Sequence, residues 1–204
     1  MQSATITPRG NQAGERYAEI LRVAAELFRR NGYTGTSVQD VADVLGINKA
    51  SLYHYVTGKE DLLWAVVRDV TEAFGVALAA ASDRTHDSGL DAVEDFVRTH
   101  AMFNARNAVK ALVYERDSHR LKPELYDEIV ATRDEYERLL RERFDRGRDD
   151  GSIRAELTPA IAIKLLFGMT NWVYHWYDPA GWVTPEQLGD QIASMARRSI
   201  EARP

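Results

Sequence analysis

Ala42, Gly46 and Leu52 stand four and ten residues apart inside TSVQDVADVLGINKASLYHYVTGKEDLL, the stretch from Thr36 to Leu63. A small residue lets two helices cross closely. A glycine allows the sharp bend between them, and a branched apolar residue faces inward from the second helix. Val41, Leu45 and Ile47 supply the contacts that lock the pair. This is the spacing of a helix-turn-helix, whose second helix enters a DNA major groove. An ordinary helical hairpin in a bundle is the alternative, but spacing, turn residue and the aromatic run that follows all agree.

Those side chains must be positioned by helices, and helical periodicity dominates the chain, with no segment alternating at period two. A first helix is expected from about Gly14 to Asn31, with Ile20, Leu21, Ala24, Leu27 and Phe28 as its apolar stripe and Gly32 as its stop. Thr36 or Ser37 caps the second helix, with Gln39 or Asp40 three residues on. Asn48 caps the third, which carries Lys49 to Tyr55. Thr57 caps the fourth, with Glu60 completing a capping box, and that helix runs to about Ala81. The polar segment Ser82 to Gly89 marks a boundary. Further helices are expected near 90–106, 108–118, 123–149, 158–177 and 184–202, with Pro123, Pro159 and Pro185 in first turns and Thr158 and Thr184 as caps. Gly151 stops the long helix. Its pairs Asp134/Arg138, Glu137/Arg141 and Glu142/Arg146 mark a solvated face. The expected division is an arm over 1–13, a helix-turn-helix domain over 14–60, and a larger helical domain over 61–204.

Lys59 falls in the first turn of the fourth helix, where a cation has the wrong sign for the helix dipole. A DNA phosphate against the same turn repairs this, because lysine and free amides then act together.

Composition narrows the function. The 204 residues are 45% hydrophobic and 9% aromatic, enough for one large domain or two small ones. The absence of cysteine excludes disulfides, Cys-based zinc sites and a Cys nucleophile. No apolar run reaches about 18 residues, so no membrane span and no membrane partner are expected. The polar start MQSATITPRGNQAG reads as a disordered arm, and a cytoplasmic location follows. The net charge is −5, yet residues 1–60 hold seven Lys/Arg against six Asp/Glu. DNA binding would then rest on a few placed cations and amides, not a broad basic field. No GxSxG, HExxH, P-loop or GxGxxG is present, and His54, His86, His100, His119 and His175 lack metal-ligand spacing. Neither catalysis nor a metal or cofactor is expected. A helical adaptor that keeps the fold without reading DNA is the rival reading.

Residues 14–63 resemble the N-terminal domain of TetR-type transcriptional repressors. The resemblance is carried by AlaAlaGluLeuPhe at 24–28, GlyTyr at 32–33, ThrSerValGlnAspValAla at 36–42 and LeuTyrHisTyrValThrGlyLysGluAspLeuLeu at 52–63. Val56 stands where the family usually has Phe, and His54–Tyr55 reverses a common order. The resemblance implies an all-α fold: a three-helix helix-turn-helix domain followed by a C-terminal helical domain for ligand binding and dimerisation. It implies that Lys49 and Ala50 face base edges. Tyr53, His54 and Tyr55 would meet phosphates, sugar or thymine methyls, with Asn48 and Ser51 on the same element. Thr36 and Ser37 would present a hydroxyl and helix amides to a phosphate, and Lys59 would join them.

Such proteins work as homodimers on roughly palindromic double-stranded operators, because one motif reads too few base pairs. The resemblance places the dimer contact on the last two helices. Leu165, Met169, Trp172, Val173 and Trp176 fit one side, and Leu188, Ile192, Met195 and Ser199 the other. The run AsnTrpValTyrHisTrpTyrAspProAlaGlyTrp at 171–182 serves core, dimer or effector pocket. Phe96, Phe103, Tyr114, Phe167, Trp172 and Trp176 are candidate apolar walls, with His100, Arg106, Glu115 and Asn171 as polar anchors. This aromatic helix, with its Pro/Gly turn and ThrProGluGlnLeu, resembles the actinobacterial subgroup governing fatty-acid and steroid breakdown. A small hydrophobic effector is therefore expected: acyl-CoA thioesters are the class this subgroup implies, and antibiotics or flavonoids are the alternatives; Arg98, Arg106 and Lys110 are candidate cations for a CoA's phosphates. Effector binding would release a repressor through the fourth helix.

Overall fold

Apolar residues at helical spacing, punctuated by local caps, produce an all-helical chain. The computed structural model describes residues 11–82 and 84–202. Its helices are α1 (Asn11–Asn31), α2 (Val38–Val44), α3 (Lys49–Leu52), α4 (Lys59–Ser82), α5 (Gly89–Arg106), α6 (Ala108–Asp117), α7 (Pro123–Asp149), α8 (Pro159–Asn171), α9 (Val173–Trp176) and α10 (Pro185–Ile200). Among the described residues the only strand-like feature is one isolated bridge between Ile153 and Glu201. The arm expected over 1–13 lies, for residues 1–10, outside the described residues, and α1 takes in 11–13.

The described residues pack as two compact units, one running up to Val70 and again over Val109–Asp127, the other over Thr71–Ala108 and onward from Glu128. The chain therefore passes between them three times: inside α4 after Val70, at the start of α6 after Ala108, and inside α7 after Asp127.

In the first unit Ile20, Leu21, Ala24 and Phe28 of α1 are buried with Val41, Ala42, Leu52, Val56, Leu62 and Leu63. Leu27 of the expected stripe is only half-buried. Gly46 has φ +64°, the left-handed conformation that the bend between α2 and α3 requires. Ser37 and Asp40 form a reciprocal capping box on α2, and the Asn48 side chain caps α3. The cap of α4 differs from expectation. Asp61, not Glu60, accepts from Thr57 N at 2.7 Å and Thr57 Oγ1 at 3.2 Å. Glu60 instead accepts from Lys122 N at 3.0 Å. α6 adds a link that spans the chain: Arg116 donates to the carbonyls of Phe28 and Arg29, at the end of α1. Buried Asp117 is paired with both Arg116 and Arg120.

In the second unit α10 lies along α5. Arg197 Nη1 reaches Asp91 and Glu94, each at 2.7 Å, and Arg98 Nε reaches Asp190 at 2.8 Å. Thr184 and Gln187 form the capping box that starts α10. The polar segment before α5 is held too, with Arg84 Nη1 2.7 Å and His86 Nε2 3.3 Å from the Asp95 carboxylate. On α7 the expected i,i+4 pairs give way to others. Arg138 bonds Glu135 and Glu142, while Glu137 pairs with Lys164 of α8. The expected helix over 158–177 is interrupted at Trp172, which separates α8 from α9.

The start of α5 touches the end of α7 backbone to backbone. A Cβ at Gly89 would stand 2.0 Å from Gly147 N and 2.4 Å from its Cα. Backbone has no rotamer to yield. Gly89→Ala is expected to cost roughly 1–3 kcal/mol, measured as a lower urea midpoint at unchanged slope; an unchanged midpoint would refute the contact.

Candidate nucleic-acid interface and effector site

α3 is one turn long, and its exposed face is set by its ends. Asn48 Oδ1 accepts from Ser51 N at 2.8 Å and from Ser51 Oγ at 2.9 Å. Leu52 is fully buried, so the helix is anchored on one side. Lys49, Ala50, Tyr53 and His54 are exposed. The Lys49 ammonium lies 5.8 Å from the centroid of the Tyr53 ring, a cation–π contact between two groups expected at the interface. Tyr55 is different. It is half-buried and stacked on Tyr17 of α1, centroids 6.5 Å apart, which fixes its ring. Beyond Leu52 the α-helix gives way to tighter turns, with His54 N bonded to Ser51 O and Tyr55 N to Leu52 O.

Lys59 is held on a prepared seat. Its Nζ donates to Thr34 O at 3.2 Å and lies 4.4 Å from the centroid of Tyr33. The Tyr33 ring leans on Phe28, centroids 5.5 Å apart. Burial and the neighbouring Glu60 charge push the Tyr33 phenol above its ordinary range, so it stays neutral under the cation.

At α2 the expectation for Thr36 is corrected. Its side chain is buried, and its Oγ1 donates to Gly32 O at 2.9 Å and Leu27 O at 3.2 Å. It ties α1 to the start of α2 and presents no hydroxyl outward. Ser37 is exposed, with its Oγ accepting from Asp40 N at 3.1 Å. The bonds from Ser37 hold the Asp40 carboxyl below its usual range.

The second unit contains a buried polar knot in an aromatic shell. His100, Asn104 and Thr170 are all buried. The His100 imidazole sits among Phe74, Phe96 and Phe167, with centroids 4.5, 6.2 and 5.5 Å away, and Phe103 packs on Phe74 at 5.0 Å. Tyr136 closes on Phe74 edge-on at 4.6 Å and donates to Thr71 O at 2.8 Å. Desolvation pushes the His100 imidazole down to about 3, so it is neutral at physiological pH. Arg143, which the sequence reading overlooked, lies 5.6 Å from the Phe96 centroid, and burial lowers its proton affinity.

Phe96, His100, Phe103 and Phe167 thus come together. The other candidates stand elsewhere. Tyr114 and Glu115 belong to the first unit. Arg106 is exposed and pairs with Glu186. Asn171 is half-buried in the last turn of α8, outside the His100 knot. Trp172 and Trp176 are 63% and 54% exposed, so their rings are surface and not pocket wall. The candidate phosphate cations are already paired: Arg98 with Glu94 and Asp190, Arg106 with Glu186, and Lys110 with Asp69. Val173 and Leu188, expected at a dimer contact, are buried in a cluster with Ala105.

Residues 20–66 match the model of bacterial regulatory proteins of the tetR family, and residues 86–200 match the tetracyclin repressor-like C-terminal domain. The chain belongs to the TetR family. The transcriptional repressor KstR2 of Mycolicibacterium smegmatis is 30% identical to it over 93% of both chains. The TetR-family regulator PfmR of Thermus thermophilus is similar in structure, with a TM-score of 0.79 at 30% identity, covering 88% of this chain and 97% of that one. AibR, solved with isovaleryl coenzyme A and operator DNA, gives a TM-score of 0.77 at 29% identity, with the same coverage. In this TetR-family regulator, α2 and α3 are the helix-turn-helix, and the tetR-family match spans every residue from Thr36 to Lys59 named above. Among the described residues no helix is long and apolar enough to cross a membrane.

Two measurements follow. Lys59→Ala is expected to weaken binding to all duplexes alike and to lower the salt slope of log K by roughly one unit; lost sequence preference at full affinity would contradict the phosphate role. His100 is neutral when folded and takes a proton when unfolded below about pH 6.5, so stability falls with pH from there toward about 3. Between pH 7.5 and 5.5 its share of that loss is about 1.4 kcal/mol. Urea titrations of His100→Phe should lack this share.

Proposed function

We propose that this regulator is a homodimeric repressor that reads a roughly palindromic operator and is released by a small hydrophobic effector. The observation carrying the reading is the exposed set Lys49, Ala50, Tyr53 and His54 on a one-turn helix clamped by Asn48 and Leu52. Lysine reads the acceptors of guanine, and alanine lets the helix approach or meets a thymine methyl. Tyr53, His54 and the stacked Tyr55 reach the backbone. Ser37, the early amides of α2 and the seated Lys59 hold phosphates. The reading domain is taken as 14–60 and the effector and dimer domain as 61–204. The protein acts in the cytoplasm, without catalysis of its own.

The dimer forms through α8, α9 and α10. Ile161, Leu165, Trp172 and Trp176 are exposed at intervals of about one or two turns, and Met195 of α10 is 62% exposed. A row of large apolar side chains this open to water suits an isologous contact. The effector enters the domain holding the His100 knot. Acyl-CoA thioesters are its class, in keeping with the isovaleryl coenzyme A bound by AibR. The effector shifts the DNA-binding equilibrium only by its preference for one of two states, and α4, which belongs to both units, carries the change.

The test has two parts. Duplexes selected from a random pool by the purified protein should share a palindrome and be retained at physiological salt. An acyl-CoA panel should then release them. Retention without sequence preference would leave only a helical adaptor. Leu165→Arg should give monomers by sedimentation and lower operator affinity at least tenfold; a dimer of unchanged affinity would move the contact elsewhere.

A further inference from the structure

Gly32, Tyr33 and the buried Thr36 all belong to the turn that joins α1 to α2. Gly32 has φ +75°, a left-handed conformation, and its N bonds Phe28 O at 2.9 Å, so α1 stops there and the chain turns back. Thr36 closes the turn from the other end. Its N donates to Tyr33 O at 3.2 Å, and its Oγ1 is shared between Gly32 O at 2.9 Å and Leu27 O at 3.2 Å. Arg116 holds the same end of α1 from α6, through the carbonyls of Phe28 and Arg29. The turn is thus fixed on both sides of Tyr33.

What the turn displays is a seat for a cation 25 residues further along the chain. Lys59 Nζ is 3.2 Å from Thr34 O and 4.4 Å from the centroid of the Tyr33 ring. The ring leans in turn on Phe28, which is fully buried. An ammonium has three donors. Thr34 O takes one and the ring face draws another, which leaves the third for a partner from solution. Asp40 attracts Lys59 more weakly, its carboxylate being bonded to Ser37 N at 2.7 Å. An unheld lysine side chain gives up its rotamer freedom when it meets a phosphate. One that is already held gives up less.

We infer that the Tyr33 ring and the Thr34 carbonyl order the Lys59 ammonium before a duplex phosphate reaches it, which makes Tyr33 a positioning residue for DNA binding. The inference rests on the phosphate role proposed for Lys59 and says what prepares that role. It also gives Thr36 a part: its hydroxyl meets no phosphate, but it locks the turn that carries the seat. Tyr33 then acts through Lys59 alone, and alike on every duplex. Removing the ring removes a cation–π contact at an exposed site, worth about threefold in affinity per subunit and about tenfold for a dimer that grips with two copies.

The test is a double-mutant cycle on the full chain. A palindromic duplex selected by the protein and a scrambled duplex of equal length are titrated by fluorescence anisotropy over a salt series. Tyr33→Leu should weaken both duplexes about tenfold. Tyr33→Phe, which keeps the ring face, should bind as the native protein does. In a Lys59→Ala background Tyr33→Leu should cost nothing further. An equal loss in that background would make Tyr33 a packing residue and overturn the inference. Unchanged binding by Tyr33→Leu would overturn it too, and so would tighter binding, because the seat would then compete with the phosphate. If Lys59→Ala leaves affinity and salt slope untouched, the phosphate role itself falls, and the purpose of the seat with it. A second readout needs no variant of Tyr33. The Lys59 ε-methylene protons, lying over the ring, should resonate upfield of those of the other lysines, both in the free protein and with duplex; Lys59→Arg assigns them. Their return to the ordinary lysine position on adding duplex would show the cation leaving its seat and overturn the inference.

Discussion

A four-residue helix is not stable by itself in water, because helix nucleation fixes several residues before many hydrogen bonds repay the cost. α3 is such a helix. What holds it is the burial of Leu52, worth about 1.5–3 kcal/mol, together with the Asn48 cap at its start and the Gly46 bend before it. The exposed face of α3 exists only while these persist. Lys49, Ala50, Tyr53 and His54 are exposed because the opposite side of the same turn is committed to the core. Tyr55 extends this logic, since its stack on Tyr17 ties the turn after α3 back to α1.

The charges near the interface obey a related constraint. A cation at a helix start is opposed by the dipole, and Lys59 is steadied there chiefly by a carbonyl and an aromatic face, with a weaker attraction to the Asp40 carboxylate. A directly bonded carboxylate would compete with a phosphate. The carboxylates of the same turn have other work: Asp61 caps through Thr57, and Glu60 holds Lys122. Net negative charge is thus compatible with a DNA-binding face, because the local arrangement of a few groups outweighs the total. In the interior of the second unit the buried His100 and Asn104 are tied together through Thr170.

Family membership adds a frame for the connections between units. α4, α6 and α7 each lie at a passage of the chain from one unit to the other. Arg116 of α6 bonds the last carbonyls of α1, and Asp117 beside it is buried between two arginines. The sequence shows these only as an Arg–Asp pair in a charged helix. Their partners are 87 residues away in one case, and no local pattern carries that information.

Local physics was readable from the residues alone. Ser37, Asn48 and Thr184 cap helices because their oxygens reach amides three residues on, and prolines and glycines mark starts and stops for equally local reasons. The spacing of Ala42, Gly46 and Leu52 likewise named the motif, because helix crossing and bend are set within a dozen residues. The folded chain alone decided which of two similar side chains faces inward. Thr36 turned in and Ser37 out; Val173 joined the core while Trp172, one residue before, faces water. It also gathered Phe74, Phe96, His100, Phe103 and Phe167 from three helices while leaving Tyr114 in the other unit. Periodicity fixes a helix's apolar side, but which neighbour covers that side depends on packing between residues distant in sequence, where close fit and hydrogen-bond satisfaction choose among faces that composition leaves equal.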